Sequence, residues 1–187
     1  MNKKTRLTLS PGDKKTIALL GAFCLFLSSL EYMIPKPLPF MRIGIANLPL
    51  MLALDMLPFR GLMVLAGIKI LGQALVTGTL FSFTFLFSFA GTVLSVLSMY
   101  LLRHLLGKDR ISFIGLGTVG AMMSNLSQLS LAWVFVFRDN VRYIAPVFLA
   151  AGLVTGITLG IFCELFSRRS QWYARSLDAA RLHRGAL

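Results

Sequence analysis

Acidic side chains are scarce in this sequence. Seven Asp and Glu are scattered through 187 residues, and no D-D-x-x-D cluster is present to hold Mg²⁺ and a pyrophosphate. H-E-x-x-H, G-x-x-x-x-G-K-[ST] and G-x-S-x-G are also missing, so nothing signals zinc hydrolysis, nucleotide hydrolysis or an elbow nucleophile. The chain reads as non-catalytic, with no metal and no cofactor. Its two histidines, His104 and His183, are isolated and read as headgroup-level residues. Its two cysteines, Cys24 and Cys163, lie in apolar runs without metal-ligand spacing, so both read as small buried hydrophobes and no disulfide is expected. No A-x-A-like cleavage site follows the basic N-terminus MNKKTRLTLSPGDKK, and the apolar run after it reads as a retained first helix.

What the chain has in quantity is apolar surface. Hydrophobic residues make up 56% and charged residues 14%, with a mean hydropathy of +0.76, too apolar for a soluble domain of this length. The runs do not alternate, which excludes a β-barrel. At roughly 20 residues per span, six apolar segments are expected, at about 16–34, 43–57, 60–79, 82–106, 113–136 and 141–166. The expected fold is therefore an all-α bundle of six transmembrane helices over 16–166, between a basic tail at 1–15 and a second at 167–187. The second segment is short and carries Pro49, and the PKPLPF run before it forbids helix from Pro35 to about Phe40.

Lys and Arg set the orientation. With the N-terminus in the cytoplasm, the inside carries Lys3, Lys4, Arg6, Lys14, Lys15, Arg60, Arg103, Lys108, Arg110, Arg168, Arg169, Arg175, Arg181 and Arg184. The outside carries Lys36, Arg42, Arg138 and Arg142, so the positive-inside rule puts both termini in the cytoplasm of a bacterial inner-membrane protein. The tail after Arg168 spaces Trp172, Leu177 and Leu182 among arginines, as a basic amphipathic helix on anionic lipid would. The net charge of +12 is accounted for by topology, and nucleic acid is not an expected partner.

Lys69 falls in neither loop set. An ionisable group at membrane depth normally faces a cavity or a partner, and Gln73 lies one turn on, on the same face. Asn125 and Gln128, with Ser124 and Ser127 beside them, form a second polar face at matching depth. Glu31, Arg42 and Asn47 lie toward the outer side. Together these describe an outward-opening polar funnel for a small polar or anionic ligand, floored by Lys69, Gln73, Asn125 and Gln128. The competing reading is interhelical glue, with Lys69 paired to Glu31, Asp55 or a helix carbonyl. Asp55 reads as a surface ion pair or turn residue, and Glu164 as a helix-end partner of Arg168. Gly152, Gly156 and Gly160 form a doubled GxxxG stripe, and Ala18 and Ala22 a small-residue patch, both read as partner contacts where another backbone approaches.

RIGIANLPLMLALDML, GQALVTGTLFSFTFLFSFAGTVLSVLSMYLL, GAMMSNLSQL and PVFLAAGLVTGITLG resemble, in order and spacing, the family labelled heptaprenyl diphosphate synthase component I, also called Gx transporters. The resemblance covers roughly residues 40–165. That family is similar in turn to the substrate-binding S components of energy-coupling factor transporters. The likeness implies six helices, both termini inside, ligand taken from the outer side, and a coupling protein with ATPase subunits meeting an Ala-x-x-x-Ala patch that Ala18 and Ala22 match. The family pattern places His where Ser124 stands, and often Arg where Lys69 stands. The ligand so implied is vitamin-like, isoprenoid or quinone-related. The alternatives are a non-catalytic accessory subunit of polyprenyl diphosphate synthesis and a structural subunit of a membrane redox or transport complex.

The charge asymmetry makes a topological prediction. In a background lacking Cys24 and Cys163, Asp139→Cys should react with an impermeant thiol reagent added to intact cells, and Lys108→Cys should not. Labelling of position 108 from outside would overturn this orientation.

Overall fold

The computed structural model describes residues 9–34, 44–107 and 110–185, and these are helical almost throughout. The first helix, α1 (Pro11–Met33), starts earlier than apolar composition alone suggested. Ser10 Oγ accepts from the Asp13 amide and Asp13 Oδ2 from the Ser10 amide, each at 3.0 Å, a reciprocal capping box with Pro11 in the first turn. The helix ends at Ile34, whose extended backbone is what the following Pro35 demands. A 3-10 turn (Ile45–Asn47) leads into the short α2 (Leu48–Met56), which stops at the extended Leu57 before Pro58.

Three longer helices follow: α3 (Phe59–Val76), α4 (Phe83–Leu106) and α5 (Phe113–Ala132). The last continues as a π turn (Trp133–Phe137) rather than as regular helix to residue 136. A 29-residue α6 (Val141–Arg169) and the tail helix α7 (Gln171–Gly185) complete the chain. Among the described residues five helices, α1, α3, α4, α5 with its π turn, and α6, are long and apolar enough to cross a membrane. The expected second span, Ile45–Met56, is shorter than these. All nine residues of α2 are buried, and it touches each of the other helices, so this short element is the centre of the bundle.

The most extensive interface joins α5 to α6. A Cβ added to Gly117 would lie 2.5 Å from the Gly156 carbonyl oxygen, and one on Gly160 would lie 2.5 Å from Ile114 Cα. Neither can be accommodated, so only glycine permits this approach. This corrects the partner role expected for Gly152, Gly156 and Gly160: the stripe is buried against α5 of the same chain. Glu164 pairs with Arg168 at 2.9 Å, as the spacing indicates, and also accepts from the Phe113 amide at 3.1 Å. It thereby satisfies an open donor at the α5 N-terminus.

Asp55 differs from its expected surface role. It is buried and held by Arg103 through two bonds of 3.0 and 2.8 Å, while the Tyr173 hydroxyl donates to it at 3.1 Å. Arg103 also donates to the Ile111 carbonyl and lies over the Phe113 ring at 5.2 Å. Phe113 in turn meets Tyr173 edge-on. One cluster thus ties α2, α4, α5 and α7 together. Tyr173, 5% exposed, makes the tail part of the bundle rather than only a surface helix. Leu177 packs on the core beside it, and the Leu182 side chain lies outside the described residues.

Two consequences can be measured by reversible unfolding in detergent. Asp55→Ala leaves the Arg103 charge without its carboxylate and should cost about 3–5 kcal/mol, whereas Tyr173→Phe removes one hydrogen bond and should cost about 0.5–1.5 kcal/mol. Equal losses from the two variants would contradict the ion pair's leading role. Burial, and next the Asp55 charge, push the Tyr173 phenol above its ordinary 10.0. The folded chain therefore keeps that proton where the unfolded chain loses it, so this contribution is complete below about pH 10 and declines as pH rises further.

Candidate functional site

The side chains that should not face lipid meet inside the bundle. Lys69 and Gln73 come from α3, Asn125 and Gln128 from α5, Glu31 from α1 and Asn47 from the turn before α2, and all six line one cavity. Lys69 and Gln73 are 3% exposed and Gln128 1%. Arg42, expected at the outer rim, lies outside the described residues. The cavity measures about 30 Å³, space for one or two waters, and so is far narrower than the expected funnel.

Helix α4 supplies a wall that the sequence reading overlooked. Ser88, Thr92 and Ser95 are buried and line the cavity. Their spacing places all three on one helical face, a periodic polar signal that was present in the sequence but hidden by the surrounding Phe and Leu. Lys69 Nζ donates to Thr92 Oγ1 at 2.7 Å, which gives the ammonium a neutral acceptor at depth. Asp55, one partner considered for Lys69, is engaged by Arg103 and Tyr173 at its own site. Gly91 leaves room for the opposite wall, because a Cβ there would lie 2.8 Å from Ser124 Oγ and 3.0 Å from Gln128 Nε2.

Not every polar group here serves the cavity alone. Asn125 Nδ2 donates to the Phe148 carbonyl at 2.8 Å and so bridges α5 to α6. Gln128 Nε2 donates to Ser124 Oγ at 2.9 Å within α5. Glu31 Oε2 accepts from the Ala46 amide at 3.3 Å and fixes the turn leading into α2. Other polar atoms stay unmatched: Asn47 Oδ1, Gln73 Oε1, Ser88 Oγ and Gln128 Oε1 have no hydrogen-bond partner among the described residues, and all four residues line the cavity. Buried polar atoms are normally satisfied, so each of these exceptions calls for an explanation.

On the outer wall of α1, Ala18 and Ala22 are exposed. Ala22 borders an apolar groove of about 460 Å³ that is also lined by Leu19, Phe23, Phe26, Leu52, Phe166 and Trp172. Among the described residues no group of three or more His, Cys, Asp or Glu could hold a metal.

Long apolar helices enclosing a buried polar cavity define a multi-pass membrane protein built around an internal polar site. Residues 20–166 match the family model described as heptaprenyl diphosphate synthase component I, and the chain belongs to that family. No match was found among curated proteins or solved structures.

The Asn125 bridge yields a stability prediction. Asn125→Ala should lower unfolding free energy in detergent by about 0.6 to 1.7 kcal/mol, the usual range for interhelical side-chain bonds in membranes. An unchanged midpoint would show that Asn125 does not join these helices.

Proposed function

We propose that this protein is a membrane binding subunit, similar to the S components of energy-coupling factor transporters, that takes up a small polar or anionic compound. The observation that carries this reading is the cavity itself. Polar side chains from α1, α3, α4 and α5 converge there with a lysine at membrane depth and four unmatched polar atoms, an arrangement that is costly without a guest. In this reading α2 is a sixth, half-length membrane element, both termini are cytoplasmic, and the protein resides in the bacterial inner membrane. A vitamin-like, isoprenoid or quinone-related ligand would need the cavity to widen toward the few hundred Å³ of ordinary ligand sites. Met51 and Met99 in its lining are adaptable enough to give way.

The chain carries no nucleotide-binding motif, so transport would draw energy from separate ATPase subunits through a coupling protein. The exposed Ala18 and Ala22, with the apolar groove beside them, suit a partner helix at close range. Basic residues on α7, Arg175 among them, suit anionic lipid. The second reading rests on the family's name: a non-catalytic accessory subunit of a heptaprenyl diphosphate synthase, working with a partner component.

One experiment separates these roles. Wild type, Lys69→Met and Ala18→Trp/Ala22→Trp are purified gently from their host, and retained small molecules and proteins are identified. Lys69→Met should stay folded but lose ligand affinity by roughly tenfold to a hundredfold, the loss of a charge-assisted bond. The double Trp variant should keep its ligand and lose the coupling protein. Recovery of a prenyl synthase component in place of a coupling protein favours the accessory reading. A Lys69→Met protein that melts much earlier yet binds normally sinks the ligand role of Lys69.

A further inference from the structure

Resting on the reading of the cavity as a ligand site, we propose that its ligand is a compact compound bearing several N–H or O–H donors and no more than one anionic group, and that the cavity excludes diphosphates. The four unmatched atoms carry this. Asn47 Oδ1, Gln73 Oε1, Ser88 Oγ and Gln128 Oε1 come from four different elements: the turn before α2, then α3, α4 and α5. Three of them are carbonyl oxygens, which only accept, and the fourth is a hydroxyl that does either. A flipped amide would present N–H instead, but Asn47, Gln73 and Gln128 would all have to turn for the cavity to lose these acceptors. Each unmet acceptor is a standing cost that a ligand donor removes.

The charges point the same way. Among the described residues, the cavity is lined by one cation, Lys69, and one carboxylate, Glu31. Lys69, which donates to Thr92 at 2.7 Å, can balance at most one negative charge on a ligand. A diphosphate would bring several negative charges against three carbonyl oxygens and a carboxylate, in surroundings of low dielectric where that repulsion is strong. A donor-rich amide, aminoheterocycle or polyol head meets the same atoms favourably. If the chain instead assists prenyl diphosphate synthesis, the diphosphate lies elsewhere.

The test uses the full chain purified gently in detergent, with small molecules released by denaturation and identified by mass spectrometry. Gln73→Met is the informative variant, because Met keeps the length of the side chain while removing an unmatched carbonyl. The compound released from wild type is expected to carry several N–H or O–H donors and no phosphate. Gln73→Met should retain it about tenfold less. Once emptied of ligand, Gln73→Met should melt at a higher temperature than emptied wild type, an outcome that a merely structural Gln73 would reverse. If Gln73→Met does not fold, Ser88→Ala removes another of the four atoms and carries the same comparison. A phosphorylated or otherwise polyanionic compound, or undiminished retention by the variant, overturns the ligand class and leaves the binding reading intact. A wild-type protein that retains no specific compound overturns both.

Discussion

Every backbone polar group carried into the membrane must be satisfied inside the protein, and a buried charged side chain needs a partner there too; the structure is arranged around that constraint. The short helix α2 shows how. Buried along its whole length, it needs a wall on every side, and the other helices supply one. At one end the 3-10 turn is fixed by the Glu31 carboxylate on the Ala46 amide. At the other, Asp55 is held by Arg103 and Tyr173. A helix of nine residues cannot span a bilayer by itself, so both of its ends fall where side chains of longer helices can reach them.

The cavity follows from the same packing. Glycines on α5 and α6 bring those backbones into contact, and Gly91 on α4 makes room for the Ser124 and Gln128 side chains. These approaches leave a narrow space lined by hydroxyls, amides and one ammonium. Asn125 serves both structure and cavity: it lines the site while donating to an α6 carbonyl. Helix bridging and cavity lining are thus not exclusive at this position. At Gln73, with an unmatched oxygen, the structure gives no such packing role to that atom.

Much of this was legible in the sequence because helices in lipid obey simple rules of length, period and charge. Apolar runs separated by prolines and by short polar or glycine-containing breaks marked the helices to within a few residues, and the isolated Lys69, Gln73, Asn125 and Gln128 announced a common face because polar groups at depth are rare. The Ser88, Thr92 and Ser95 face had the same period, yet hydroxyls can satisfy themselves on their own helix backbone and so carry a weaker signal. Asp55 misled for a different reason. Its neighbours Pro58 and Arg60 suggested a surface turn, whereas its partners Arg103 and Tyr173 lie far along the chain.

By itself the sequence determined that the chain is an apolar helical bundle, roughly where its helices lie, and which polar residues require burial together, since these depend on local composition and periodicity. Only the tertiary structure decided that the glycine stripe of α6 faces α5, that the tail inserts Tyr173 into the bundle, and that α2 sits at its centre. It also decided that the cavity is narrow. Those outcomes depend on which surfaces meet across long stretches of chain, and a small-residue face or a buried carboxylate carries no mark of the partner that will cover it.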